Sequence, residues 1–153
     1  MGSVESSVVI DAPIEKVFVF LSNPKNQEKI FVDSDFKVED VSKQPVGVGT
    51  RFRISAFIGG REVKSHWHEF VEFEENRRFV DREVKGGGGV LKREDLTFVF
   101  GTTDRGTKVT ITEDYEFPYS VLGKIVGKLM ARKGFERWIQ SGAQKAKEIL
   151  EAT

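Results

Sequence analysis

Apolar and polar positions along the chain fall into three regimes. Val4 to Ile10 is a β-branched run that predicts a strand. Asp11 follows as a helix cap with Pro13 in the first turn, where a missing N–H is no loss, and Val17, Phe18, Phe20 and Leu21 form the apolar face. Asn23-Pro24 starts a second short helix that reaches about Ile30 or Phe31. From Phe36 to Phe117 the spacing changes to period two. After a strand beginning at Phe36, the pattern predicts strands at Phe52–Ile58, Val63–Phe73, Phe79–Val84, Leu91–Phe100 and Val109–Phe117. The turn signals between them are Val46 to Gly49, Gly59-Gly60, Glu75-Asn76, Gly86 to Gly89 and Asp104 to Gly106. Links this short permit only antiparallel neighbours. With Val4–Ile10 the sheet has seven strands.

Helical spacing returns from Tyr119 to Ala152, but its apolar stripe changes phase. Leu122, Ile125, Val126, Leu129 and Met130 centre on one side of the cylinder, whereas Ala131, Phe135, Trp138, Gly142, Ala146 and Ile149 centre roughly 130° away. The shift predicts a break near Arg132–Gly134, with a short helix leading into a longer one. An antiparallel sheet with one apolar face needs a cover, and only this C-terminal helix is long enough. The expected class is therefore α+β, with a seven-stranded antiparallel sheet wrapped around a long C-terminal helix and two short helices after the first strand. No repeat or linker divides it, so residues 1–153 read as one domain.

Alternation also sorts side chains by face. Phe52, Ile54, Ala56 and Ile58 share one face, as do Leu96, Phe98 and Phe100. Val109, Ile111, Glu113, Tyr115 and Phe117 form a third inward row. Glu113 interrupts that row, and a carboxylate there needs a partner, water or a ligand. It is a candidate polar handle or general acid/base; the structural alternative pairs it with Arg or Lys at a cavity mouth. His66 and His68 flank Trp67 and share a face. Two imidazoles could begin a metal site, but zinc needs a third protein ligand and spacing identifies none. The expected arrangement is a solvent-facing histidine pair with Trp67 turned inward, no metal and no cofactor.

Composition narrows the partners. Lys plus Arg and Asp plus Glu are each 24, which argues against nucleic acid and against a polybasic membrane anchor. No cysteine is present, which excludes disulfides and thiolate chemistry. No stretch approaches the ~20 apolar residues of a transmembrane span, and no signal segment is evident, so cytoplasmic localisation is the default expectation. Phe occurs 13 times against 2 Tyr, giving bulk with few hydroxyls. Gly86 to Gly89 lacks the GK[ST] ending of a phosphate loop and reads as hairpin flexibility. Gly123 and Gly127 point to close helix–sheet approach. Lys124, Lys128, Arg132 and Lys133 read as the solvated flank of an amphipathic helix, with contact to an anionic lipid surface as the alternative.

Several local phrases, in order, resemble the START-related and polyketide-cyclase-like superfamily, SRPBCC, which shares its helix-grip fold with the pollen-allergen family. They are Val9-Ile10-Asp11-Ala12-Pro13-Ile14-Glu15-Lys16-Val17, Val46-Gly47-Val48-Gly49-Thr50-Arg51 and Glu72-Phe73-Glu74-Glu75-Asn76-Arg77-Arg78-Phe79. Gly106-Thr107-Lys108-Val109-Thr110 and Tyr115-Glu116-Phe117-Pro118 complete the set. The resemblance implies a deep hydrophobic cavity between sheet and long helix. Its expected lining is Phe52, Ile54, Trp67, Phe98, Phe100, Ile111, Glu113 and Tyr115 from the sheet, and Leu122, Ile125, Leu129, Phe135 and Trp138 from the helical segment. Relatives use such cavities to bind or transfer lipids, hormones or polyketides, to regulate partners, or to catalyse cyclisation or dehydration. The leading expectation is a carrier of a hydrophobic small molecule (lipid, isoprenoid or polyketide-like), as monomer or homodimer. The alternatives are a cyclase or dehydratase using Glu113, Tyr115 or a histidine as acid/base, and a regulatory interaction module.

Overall fold

The computed structural model describes residues 2–58, 61–85, 91–118 and 125–153. Strands β1 (Gly2–Ile10), β2 (Lys37–Glu39), β3 (Arg51–Ile58), β4 (Arg61–Glu74), β5 (Arg78–Glu83), β6 (Arg93–Thr103) and β7 (Gly106–Glu116) form one sheet in the order β1-β7-β6-β5-β4-β3-β2. Every pairing is antiparallel. Helix α1 (Ile14–Leu21) and α2 (Gln27–Ile30) lie between β1 and β2, and α3 (Ile125–Ala152) packs on the concave face. This is the helix-grip arrangement. The turns at Gly59-Gly60 and Gly86 to Gly89 lie outside the described residues, as do Gly123 and Lys124.

Two aromatic groups build the core. Phe18 of α1 meets Phe73, Phe79 and Phe100 edge-on at 5.4, 6.1 and 5.0 Å between centroids, and Phe79 stacks on Phe98 at 4.6 Å. Each such pair adds about 0.5–1.5 kcal/mol beyond area burial. Phe31, just after α2, stacks on Trp138 of α3 at 4.1 Å. Gly142 lies one helical turn beyond Trp138, and a Cβ there would collide with the Phe31 ring. That glycine lets α2 and α3 approach closely.

Three expectations require correction. Asp11 does not cap α1; Pro13 is the N-cap residue, and the Asp11 N–H donates to Glu151 Oε1 at 2.9 Å. Lys147 Nζ also donates to the Val9 carbonyl at 2.7 Å, and Lys16 Nζ to the Leu150 carbonyl at 3.2 Å. The end of α3 is thereby tied to the junction of β1 and α1. Second, α3 is one unbroken helix of 28 residues, without the break near Arg132–Gly134. The phase shift demanded a break only if both stripes were packed, and Leu129 and Met130 of the first are 57% and 70% exposed. A helical Gly134 weakens the helix by about 1 kcal/mol without ending it.

The third correction concerns β4. His66 and His68 are buried and face inward, whereas Trp67 is half-buried on the other face, paired across β3 with Arg53. Alternation carried back from Phe73 would turn Trp67 inward. The β4–β5 register shifts between Phe70 and Glu72, and that irregularity reverses the phase of everything before it. His66 and His68 therefore lie opposite Ile54 and Phe52 on the concave side.

Candidate functional site

The concave face is aromatic beneath α1 and polar toward the middle of the sheet. Phe52, Ile54, Phe98, Phe100, Ile111 and Tyr115 are all buried on it, as alternation predicts. Beside them five strand residues on four strands bring together the polar groups of the interior. His66 and His68 come from β4, Asp81 from β5, Glu94 from β6 and Glu113 from β7. Register explains the gathering: Phe70, Asp81, Leu96 and Glu113 are successive cross-strand partners, and His68 and Glu94 sit two residues away on their strands, hence on the same face.

His68 Nδ1 lies 2.5 Å from Asp81 Oδ1, and Gln27 Nε2 of α2 donates to Asp81 Oδ2 at 3.1 Å. Asp81 thus fixes the imidazole plane and leaves Nε2 pointing into the interior. That atom is 3.9 Å from Glu94 Oε2, too far for a hydrogen bond, and has no hydrogen-bond partner among the described residues. Burial alone would lower the His68 pKa; the Asp81 carboxylate, followed by Glu94 and Glu83, overrides it and carries the pKa up to about 9.

Glu113 is fully buried. Burial, then the neighbouring acids Glu94, Asp81 and Asp114, raise its pKa well above the ordinary 4.5. The Glu94 carboxyl is close enough to act on it, yet neither Glu113 oxygen meets a hydrogen-bond partner in ordinary geometry among the described residues. No Arg or Lys among the described residues hydrogen-bonds to it, unlike the partner considered from sequence. His66, His68 and Glu94 also offer ligand atoms that lie within 4.8 Å of one another, so the third metal-ligand type that spacing did not identify is supplied by β6.

The remaining expected lining divides. Phe135 is partly buried against Tyr115 at 4.5 Å, and Trp138 against Phe31. Leu129 is exposed rather than a wall residue, and Trp67 lies on the outer face. Leu122 lies outside the described residues, and Ile125 is the first residue of α3. Sequence reasoning missed Gln27, Asp81 and Glu94. Glu94 shares parity with Leu96 and Phe98, and Asp81 with Phe79, so alternation could have found both; no local signal marks Gln27.

No helix among the described residues is long and apolar enough to cross a membrane. Comparison with known proteins places the architecture. The chain resembles the Zhui aromatase/cyclase from Streptomyces sp. R1128, at 18% identity and a TM-score of 0.80 over 98% of this chain and 93% of that one. It resembles TTHA0849 from Thermus thermophilus at 24% identity and a TM-score of 0.70, over 95% and 97% of the two chains. Ara h 8.0201 aligns at 13% identity and a TM-score of 0.68, over 99% of both chains. At these identities the likeness shows the fold alone. No protein of curated function matches the chain. The family model described as polyketide cyclase/dehydrase and lipid transport matches residues 1–151, and this chain, a helix-grip domain of SRPBCC type, belongs to that family.

Proposed function

We propose that the chain binds a small molecule with an apolar body and a polar end between the concave face and α3. One observation carries this reading. His68 Nε2 and both Glu113 oxygens are buried without hydrogen-bond partners among the described residues, on a face that also carries buried Phe, Ile and Leu side chains. Each unsatisfied buried polar group costs about 1–3 kcal/mol, a cost that a ligand hydroxyl or carbonyl offsets. The aromatic end beneath α1 supplies the apolar wall, as small-molecule sites generally do. Lipid, isoprenoid and polyketide-like compounds have this division, and the family's description, which includes lipid transport, supports the class.

A second reading, favoured by the His68–Asp81 pair and Glu113 lying on one buried face, is acid–base chemistry such as dehydration of a β-hydroxy carbonyl compound. There, one group accepts the α-proton, the electron pair forms the carbon–carbon double bond, and the C–O bond breaks. The other group then protonates the departing hydroxyl, which leaves as water.

Native mass spectrometry of the purified protein, with extraction and identification of retained compounds, tests the first reading. The expected result is one apolar compound bearing a hydroxyl or carbonyl per chain, or, for empty protein, tighter binding of 1-naphthol than of naphthalene, with the difference lost in Glu113→Leu. Empty protein with no preference for 1-naphthol overturns it.

A further inference from the structure

We infer that His66, His68 and Glu94 form a binding site for a divalent transition metal of the zinc, cobalt or iron(II) kind, set in the concave face with an open coordination position toward Glu113.

Three observations converge on it. The first is ligand type and placement. Two imidazoles and one carboxylate lie with their ligand atoms within 4.8 Å of one another. Two histidines with one carboxylate is a donor set typical of catalytic zinc and of non-haem iron(II). His68 Nε2 and Glu94 Oε2 are 3.9 Å apart. Ligands about 2.0–2.2 Å from a tetrahedral ion stand roughly 3.3–3.6 Å from each other, so a small side-chain rotation brings this pair to ligand spacing. The ligands come from strands of one sheet, β4 and β6, with β5 between them.

The second observation is the support behind His68. A metal-bound imidazole characteristically gives its other ring nitrogen to a carboxylate, which fixes tautomer and orientation. Asp81 holds Nδ1 in that way, and Gln27 holds Asp81 from α2. Nε2, the nitrogen left for a metal, is the one that is buried and lacks a hydrogen-bond partner among the described residues.

The third observation is what faces the remaining position. Glu113 is fully buried, and both its oxygens lack partners among the described residues. Three protein ligands leave a four-coordinate ion open to water or to an oxygen of a bound molecule, and Glu113, on the strand next to that of Glu94 and on the same face, is the buried acid neighbouring the ligand set. The site deepens the proposed function, since a ligand carbonyl or hydroxyl would sit on the metal, but metal binding itself does not depend on that reading.

Cobalt(II) chloride alone is the probe, titrated into the metal-free protein and followed by visible absorption and isothermal calorimetry. The expected result is one ion per chain with the d–d bands of four- or five-coordinate cobalt, displaced by zinc. His66→Ala, His68→Ala and Glu94→Gln should each abolish the bands, and Asp81→Asn should weaken binding roughly 10- to 100-fold by loosening its hold on the His68 ring. Glu94 is only part-buried, so Glu94→Gln is the variant that decides if the histidine variants fail to fold, with circular dichroism as the check. No stoichiometric binding by wild-type protein, or unchanged binding in folded Glu94→Gln, overturns the inference. Titrating 1-naphthol with EDTA present keeps the two proposals apart: success there beside failure with cobalt sinks only the metal site.

Discussion

Asp95 and Glu113 are buried carboxylates on neighbouring strands, 5% and 0% exposed, yet their surroundings are opposites. Asp95 lies on the face opposite Glu94 and Leu96, where Arg82 donates to it through Nε at 2.7 Å and Nη2 at 2.9 Å, and Arg93 donates at 2.8 Å. Burial works to raise its pKa, but these guanidinium hydrogen bonds win and hold it below the ordinary 3.8. Glu113, across the sheet, has like-charged neighbours and no hydrogen-bond partner among the described residues, so its pKa moves the other way. One acid is fitted into the fold as an ion-pair anchor. The other is carried at a stability cost, which is characteristic of a group retained for binding or chemistry.

The sharpest way to break this contrast is to delete each carboxylate. Asp95→Ala leaves two arginines without their acceptor and should destabilise by about 2 kcal/mol in urea unfolding, toward the low end because both arginines are part-exposed. Glu113→Leu should do the reverse and stabilise the protein by about 1–2 kcal/mol, since it removes an unsatisfied buried polar group. If Glu113→Leu destabilises instead, Glu113 has a partner in solution and belongs with Asp95.

The smallest effects per step are the pH slopes, at most about 1.4 kcal/mol per pH unit for each proton, read in chelator-treated protein. Asp95 is depressed in the fold, so its contribution is present above 3.8 and is lost as pH falls through its lowered pKa. Glu113 is raised, so stability is greatest below 4.5 and declines as pH rises above it. His68 is raised from 6.5 to about 9, so its contribution is complete below 6.5 and is gone once pH passes about 9. Glu113→Leu should remove the decline that begins above 4.5, and His68→Gln the one between 6.5 and 9.

Much of this was legible in the chain. Period-two spacing located the strands, and the odd carboxylate at Glu113 announced the polar part of the concave face. What failed did so for nameable reasons. Parity is only as good as an unbroken ladder, and one irregularity near Phe70 turned the histidines inward. A helical phase shift predicts a break only if both stripes are packed, and the stripe holding Leu129 and Met130 is largely exposed in its described part. Gln27 reaches Asp81 across 54 positions of sequence, a juxtaposition that only tertiary structure creates.

The pairing of the first strand with the last has a consequence for how the chain folds. β1 aligns Val8 with Val109 and Ser7 with Thr110, and β7 is its neighbour at that edge of the sheet. β2 through β7 can zip up hairpin by hairpin, each closing a short loop, whereas β1 must wait for a partner about a hundred residues downstream. Loop closure on that scale is slow to achieve and places this sheet among high-contact-order topologies. During synthesis Val8, Val9 and Ile10 emerge before the other strands and pair last, so an unprotected β-branched edge is an aggregation hazard of the nascent chain.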